Sequence, residues 1–227
     1  MMYITSAENK IYKQAKKLLT NAYRAKTGLF LAEGERIVSD ATHSGAINHV
    51  IVSQSYNGQI PQTLTYHFSD SLFSAISETQ HSQGIIAVCN RKTESIDNTE
   101  ASLLLICDGV CDPGNLGTII RTAECAGAGG VVLLTGCVDA YNPKVVRATM
   151  GSIFRVPLFS MDVDGLSALC HYDIVAATLG GAQNLFDSSF KGKTAVIIGN
   201  EAHGISPAVL RYANKAIKIP MCGSASS

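Results

Sequence analysis

The stretch Cys111-Asp112-Pro113-Gly114-Asn115-Leu116-Gly117-Thr118-Ile119-Ile120-Arg121 sets one arginine a turn beyond a glycine, near the start of an amphipathic segment. The turn residues Asp112-Pro113-Gly114 follow an apolar run over 103–107 that reads as a buried strand. Asn115 is a good N-cap for a helix over 116–126, with Leu116, Ile119, Ile120, Ala123 and Ala126 on one face. Arg121 lies off that face. Because helical side chains lean toward the N-terminus, it would reach back over the bare Gly117. A guanidinium, free backbone N–H groups and a positive dipole end would then converge on an anion such as phosphate. The competing reading is a solvated arginine on a polar edge.

Several strand-like runs end in loops of the same character: Asp108-Gly109, Leu179-Gly180-Gly181, Gly199-Asn200-Glu201 and Pro220-Met221-Cys222-Gly223. In open α/β sheets ligands sit beyond the carboxyl ends of strands, and glycine there lets backbone approach them closely. One such loop is only a turn; four together point to a ligand site. Other templates fail. Gly192-Lys193-Thr194 has Asp187 where a Walker loop needs glycine, and Gly127, Gly129 and Gly130 follow a helix and precede a strand, the wrong order for a dinucleotide fingerprint. There is no GxSxG elbow, no HExxH and no CxxC pair, so no metal is expected. His203, the only histidine near a candidate loop, reads as incidental.

The elements that must position these loops form two α/β regions. Strand-like runs at 29–32, 49–52, 64–68 and 84–88 alternate with helical patterns at 36–43 and 69–77, after a first helix over 7–22. That first helix turns Ile11, Ala15, Leu18, Leu19 and Ala22 to one side, with Lys10, Lys13, Lys16 and Lys17 opposite. Four lysines without an interleaved acid make an electrostatic footprint for a phosphate backbone, or simply a solvated face. The polar stretch 91–102 reads as a linker between a domain over 1–90 and a second over 103–227. In the second, strands at 103–107, 131–134, 174–178, 194–198 and 216–219 alternate with helices at 116–126, 143–150, 165–168 and 207–213. Such alternation argues a mostly parallel sheet covered on both faces.

The 227 residues are 46% hydrophobic and 16% charged with zero net charge, a well-packed soluble composition that does not by itself announce a nucleic-acid binder. The charge is uneven: residues 1–36 hold seven Lys/Arg against three Asp/Glu. No run has the form of a signal peptide or membrane span. Seven scattered cysteines, mostly in apolar surroundings, suggest buried thiols in a reducing cytoplasm.

Taken in order, the motifs resemble the SpoU (TrmH-like) RNA ribose 2′-O-methyltransferases of the SPOUT superfamily. The segment from Asn115 to Ala123 is similar to the family's first motif. Ile198-Gly199-Asn200-Glu201 with Gly204-Ile205-Ser206 resembles the second, and Ile219-Pro220-Met221-Cys222-Gly223 the start of the third. Tyr141 to Ala148 resembles the intervening helix, and Phe30-Leu31-Ala32-Glu33-Gly34 the small RNA-binding domain that precedes the catalytic one. The resemblance implies a trefoil-knotted domain, S-adenosylmethionine as cofactor, a homodimer, and structured RNA, above all rRNA, as substrate.

It also implies site residues. Arg121, Asn115 and Glu201 would be catalytic. Thr178, Leu179, Gly180, Ile198, Gly199, Asn200, Glu201, Gly204, Ile219, Pro220 and Met221 would hold the cofactor. By their charge and placement, Lys10, Lys13 and Lys17 on the first helix, and Lys144 and Arg147 one turn apart after Pro143, would contact RNA. Asn115 could act as a cap alone, Glu201 could be a plain loop carboxylate, and Lys144 and Arg147 could be solvated surface charges. Family members continue past the third motif with a Leu-Asn-Val-Ser-like run and a closing helix. With the sequence ending at Ser227, the resemblance implies an incomplete knot and a cofactor pocket short of one wall. The alternatives are a tRNA 2′-O-methyltransferase and a non-catalytic RNA-binding or assembly protein of the same fold. Asn115, Arg121 and Glu201 together argue against the latter, because folding alone would not require all three.

Overall fold

A computed structural model describes residues 2–92, 94–180 and 183–221. These fall into two compact units, one formed by residues up to Lys92 with Asp139–Arg155, the other by the remaining described residues. The first unit is built on strands β1 (Met2–Ile4), β2 (Leu29–Glu33), β3 (Ile47–Ser53), β4 (Thr65–Phe68) and β5 (Ile85–Asn90). They form one sheet in the order β1-β4-β3-β5-β2, with β4 parallel to β1 and β3, and β5 antiparallel to β3 and β2. In β3, Val50, Ile51 and Val52 are fully buried, as a central strand covered on both faces requires.

Helices α1 (Lys10–Lys17), α2 (Asn21–Thr27), α3 (Glu35–His43) and α4 (Asp70–Ser74) belong to this unit. The single helix expected over 7–22 is thus two. Thr20 takes extended dihedrals as the N-cap of α2, and its hydroxyl bonds back to the Lys17 carbonyl at 2.7 Å. Threonine's local side-chain bonding breaks the helix just where Leu18 has reached the core. As a result Ala22, expected on the apolar face, is exposed.

The second unit holds β6 (Leu103–Cys107), α5 (Pro113–Cys125), β7 (Val131–Leu134), β8 (Leu158–Met161), β9 (Asp173–Ala177), β10 (Gln183–Asn184), β11 (Thr194–Ile198) and β12 (Lys215–Lys218). The seven strands run parallel in the order β10-β12-β9-β11-β6-β7-β8. Leu104 and Ile106 of β6 and Ala195 and Ile197 of β11, all fully buried, anchor the core on one face. The sequence reading passes over β8 because only Phe159 of its four residues is buried, too weak a pattern for an edge strand. Residues 164–169 form a 3-10 helix in place of the expected α-helix. Within the expected linker, Ile96 and Ala101 pack on this core.

Between β7 and β8 the chain enters the first unit, where α6 (Pro143–Ala148) packs. Arg24 of α2, 1% exposed, anchors this excursion: its Nε donates to Asp139 Oδ2 at 2.7 Å and its Nη1 to the Leu18 carbonyl at 2.8 Å. Arg91 also donates to Asp139 Oδ1, at 3.3 Å, and lies over the Tyr141 ring. Among the described residues no helix is long and apolar enough to cross a membrane.

Candidate active site

Three parallel neighbours in the second sheet, β6, β11 and β9, deliver their carboxyl-terminal loops side by side, and β12 adds a fourth beyond β9. After β6 the chain turns at Gly109, where φ is +68°. It then enters α5 earlier than the sequence suggests. Asp112 is the N-cap, its carboxylate accepting the Asn115 N–H at 2.8 Å, and Pro113 opens the helix. Capping by Asn115 is therefore corrected: proline's fixed φ starts the helix before it, which frees its side chain for another partner.

That partner is Glu201, from the loop after β11. Asn115 Nδ2 donates to Glu201 Oε1 at 3.0 Å, and the backbone N–H groups of Asp112 and Cys111 donate to Oε1 and Oε2, each at 3.2 Å. The chain's own carboxylate thus occupies the Cys111 and Asp112 N–H groups at the mouth of α5. Desolvation, the largest single influence on Glu201, pushes its carboxyl up. The hydrogen bonds from Asn115, Cys111 and Asp112 outweigh it and hold the pKa below the ordinary value of 4.5.

Asn200 supports the same loop. Its Nδ2 donates to the Gly109 carbonyl at 2.7 Å, and its Oδ1 accepts the N–H groups of Ala202 and His203 at 2.9 and 3.0 Å. Paired backbone bonds between Asn200 and Gly204 close the loop tightly. A Cβ at Gly199 would lie 2.3 Å from the Gly204 carbonyl carbon, so only glycine fits there. Buried Asp108, named from sequence only as part of a strand-end loop, accepts the Ser206 N–H at 2.6 Å and ties the far end of the loop to β6. A carboxylate directly after an apolar strand was the signal for it.

Beside this clamp lies a cavity of about 590 Å³, within the usual range for small-molecule sites. Its walls come from Thr178 and Leu179 after β9, Ile198, Gly199, Asn200, Glu201 and Gly204 around β11, and Ile219 and Met221 after β12. Nine of the eleven residues expected to hold a cofactor line it; Gly180 and Pro220 do not. Ala177, Ala202, His203, Ile205 and Leu210 also line it and were not expected. Leu210 lies on α7 (Pro207–Leu210), which Ser206 caps. Leu179, Ile219 and Met221 are 60%, 58% and 51% exposed, apolar surface that a flat, partly apolar ligand would cover. Loop backbone beside apolar walls suits an adenosine moiety. Gly181, Cys222 and Gly223, placed in site loops from sequence, lie outside the described residues.

Arg121 is exposed on α5 and has no hydrogen bond or ion pair to any described residue, Glu201 and Asn115 included. On α5, Leu116, Ile120 and Ala123 are buried as expected, while Ile119 is half-buried and Ala126 exposed. Among the expected RNA contacts, Lys10, Lys13 and Lys17 are exposed on α1. The lysine face has an acidic neighbour after all, because Lys13 pairs with Glu8, while Lys17 lies over the Tyr23 ring. Lys144 and Arg147 are exposed on α6, in the first unit. The expectation of buried thiols is also corrected. Cys89 and Cys107 are buried, but Cys111, Cys125 and Cys170 are exposed.

A family model described as the SpoU rRNA Methylase family matches residues 102–227, and one described as the MRM3-like substrate binding domain matches residues 9–87. The chain is 38% identical to the 23S rRNA (guanosine(2553)-2'-O)-methyltransferase RlmP of Bacillus subtilis (strain 168), over 100% of this chain and 94% of that protein. An AdoMet-bound rRNA methyltransferase from Sinorhizobium meliloti superposes with a TM-score of 0.88 at 28% identity, covering 99% of this chain and 91% of that one. The SpoU methyltransferase AviRb from Streptomyces viridochromogenes, in complex with the cofactor AdoMet, gives 0.87 at 26% identity, covering 97% and 92%.

Proposed function

Because the chain belongs to the SpoU rRNA Methylase family, we propose that it transfers a methyl group from S-adenosylmethionine to a ribose 2′-hydroxyl of rRNA. One observation carries the assignment of the site: the Glu201 carboxylate joins the loop of the first motif to that of the second, beside a cavity with the size and lining for adenosine. Ribosomal RNA is favoured over tRNA because the Bacillus subtilis relative, matched along the whole chain, is named for 23S rRNA.

The cofactor supplies an electrophilic methyl group on a positively charged sulfur. In the net reaction the 2′-oxygen gains a bond to that carbon as the carbon–sulfur bond breaks, and the hydroxyl proton leaves. The protein's task is to hold both reactants in line. Thr178 and Leu179, Ile198 to Glu201, and Ile219 with Met221 form the seat for the adenosine and its tail. Glu201 fixes Asn115 and the start of α5. Arg121 holds the phosphate beside the target ribose and stabilises the developing alkoxide. A guanidinium scarcely deprotonates in proteins, so it does not serve as the base; the RNA phosphate or water takes the proton. That Arg121 has no partner among the described residues supports this role.

The trefoil knot and the homodimer rest on the family resemblance, and light scattering tests the dimer. The six described cysteines are all unpaired, which supports a reducing, cytoplasmic setting. The deciding experiment is mass spectrometry of rRNA and tRNA nucleosides from cells with and without the gene. Loss of one 2′-O-methyl nucleoside from rRNA is expected. Loss from tRNA alone would replace the substrate, and no change in either would leave the binding-protein reading.

A further inference from the structure

The first unit carries a concavity of its own, about 100 Å³, walled by Glu33, Gly34, Arg36, Gln83, Arg147 and Met150. Arg36 stands in the first turn of α3 and Arg147 in the last turn of α6, segments far apart in sequence. Both are exposed, and neither has a hydrogen bond or ion pair to a described residue. Glu33, the one carboxylate in this wall, is already engaged. Its Oε1 accepts the hydroxyls of Ser77, Thr79 and Ser82 at 2.5, 2.7 and 2.6 Å, and its Oε2 accepts the Glu78 N–H at 3.1 Å. Nearby acids are committed too: Asp40 pairs with Arg155 at 3.3 Å, and Glu35 accepts the Tyr56 hydroxyl at 3.2 Å. Gln83 uses its oxygen on the Glu35 N–H and leaves its amide hydrogens free.

Two arginines and Gln83 thus border the concavity beside the apolar Ile37 and Met150, and the one carboxylate among its lining residues is committed. Two like charges on one concavity without a counter-ion among the described residues repel, and an anion held by both relieves that repulsion. The concavity has room for a phosphate group. The two helices that carry the arginines are also held together. After α6 the chain turns through Met150 at φ +51° and Gly151 at φ +91°, and a Cβ on Gly151 would come within 2.0 Å of Asp40 Oδ2 on α3. That close approach locks the end of α6 onto α3.

We propose that Arg36 and Arg147 together seat one phosphodiester of the substrate RNA. The inference rests on the reading of the protein as an rRNA methyltransferase and adds to it a defined contact shared by α3 and α6. Lys144 does not line this seat.

The test uses the full chain and deproteinised 23S rRNA from cells lacking the gene. Arg36→Gln, Arg147→Gln and the double variant are compared with the wild type for rRNA affinity across a salt series, for binding of inorganic phosphate, for S-adenosylmethionine affinity and for melting temperature. Each single change is expected to weaken rRNA binding about tenfold. The double should be little worse than either, and the slope of log affinity on log salt should fall by about one phosphate's worth, ~0.7–0.9. Cofactor affinity and melting temperature should not move. Wild-type rRNA affinity and slope in the variants would overturn the proposal, as would additive losses with twice that change in slope, which mean two separate phosphates. Loss of inorganic phosphate binding with rRNA binding intact would make this a free-phosphate site and equally overturn it. If the wild type itself binds no rRNA, the methyltransferase reading falls with it.

Discussion

Asn115 and Glu201 stand 86 residues apart in sequence, yet the amide of one donates to the carboxylate of the other at 3.0 Å. That bond, with two backbone N–H groups on the same carboxylate, makes the loop after β6 and the loop after β11 a single body. Asn115→Ala and Glu201→Gln should each lower methyl transfer at least tenfold, equivalent to about 1.4 kcal/mol, and change melting temperature little. Near-wild-type turnover in both would refute the clamp.

The same carboxylate predicts a pH dependence. Its folded pKa is depressed, so the clamp is complete above the ordinary value of 4.5 and is lost as pH falls through the lower folded value. Cofactor affinity measured by calorimetry should be flat from neutral pH to about 5 and drop only below the ordinary carboxylate range. Glu201→Gln should show lower affinity without that acid limb. An acid limb retained in the variant would assign it to another group.

Arg121 is exposed and has no hydrogen bond or ion pair to a described residue. Arg121→Ala should therefore melt like the wild type and lose methyl transfer. Arg121→Lys should also be inactive, because a point charge does not reproduce the planar fork. Turnover near normal in either variant would remove Arg121 from the chemistry.

At Gly199 the constraint is steric. A methyl group would overlap Gly204 and the Ile205 nitrogen, at 2.3 and 2.4 Å, so the loop must open. Gly199→Ala should cost at least tenfold in S-adenosylmethionine affinity. Unchanged affinity would mean that this loop does not form the cofactor seat.

Asp139 meets an arginine that is 1% exposed. Asp139→Ala leaves that charge buried without its partner, at a cost of about 3–5 kcal/mol. A urea titration followed by tyrosine fluorescence should show the loss. A shift below 1 kcal/mol would show that Arg24 finds a new partner cheaply.

Lys10, Lys13 and Lys17 remain the candidates for diffuse attraction of RNA. Changing all three to Gln should weaken rRNA binding and flatten its salt dependence. Lys10→Gln should contribute more than Lys13→Gln, since Lys13 already pairs with Glu8. Binding unaltered at low and moderate salt would make the row a solvated face.

The sequence by itself determined the parallel sheet and the loops at its strand ends. Val-Val-Leu-Leu at 131–134 and Thr-Ala-Val-Ile-Ile at 194–198 bury residues on both faces, and such runs are legible because burial is local to each strand. The glycines at 109, 199 and 204 were legible too, as turns that need unusual backbone or close approach. Tertiary structure decided the rest. The partner of Asn115 could not be read, because a side-chain bond across 86 residues leaves no periodic trace. For the same reason the Glu201 carboxylate at the start of α5 could not be read from the sequence. The placement of Asp139–Arg155 in the first unit brings a buried arginine to one aspartate and Phe30 against Tyr141 and Phe154, meetings that no sequence pattern announces. Hydrophobic spacing specifies which face of an element turns inward; which polar groups then meet depends on how separate elements pack.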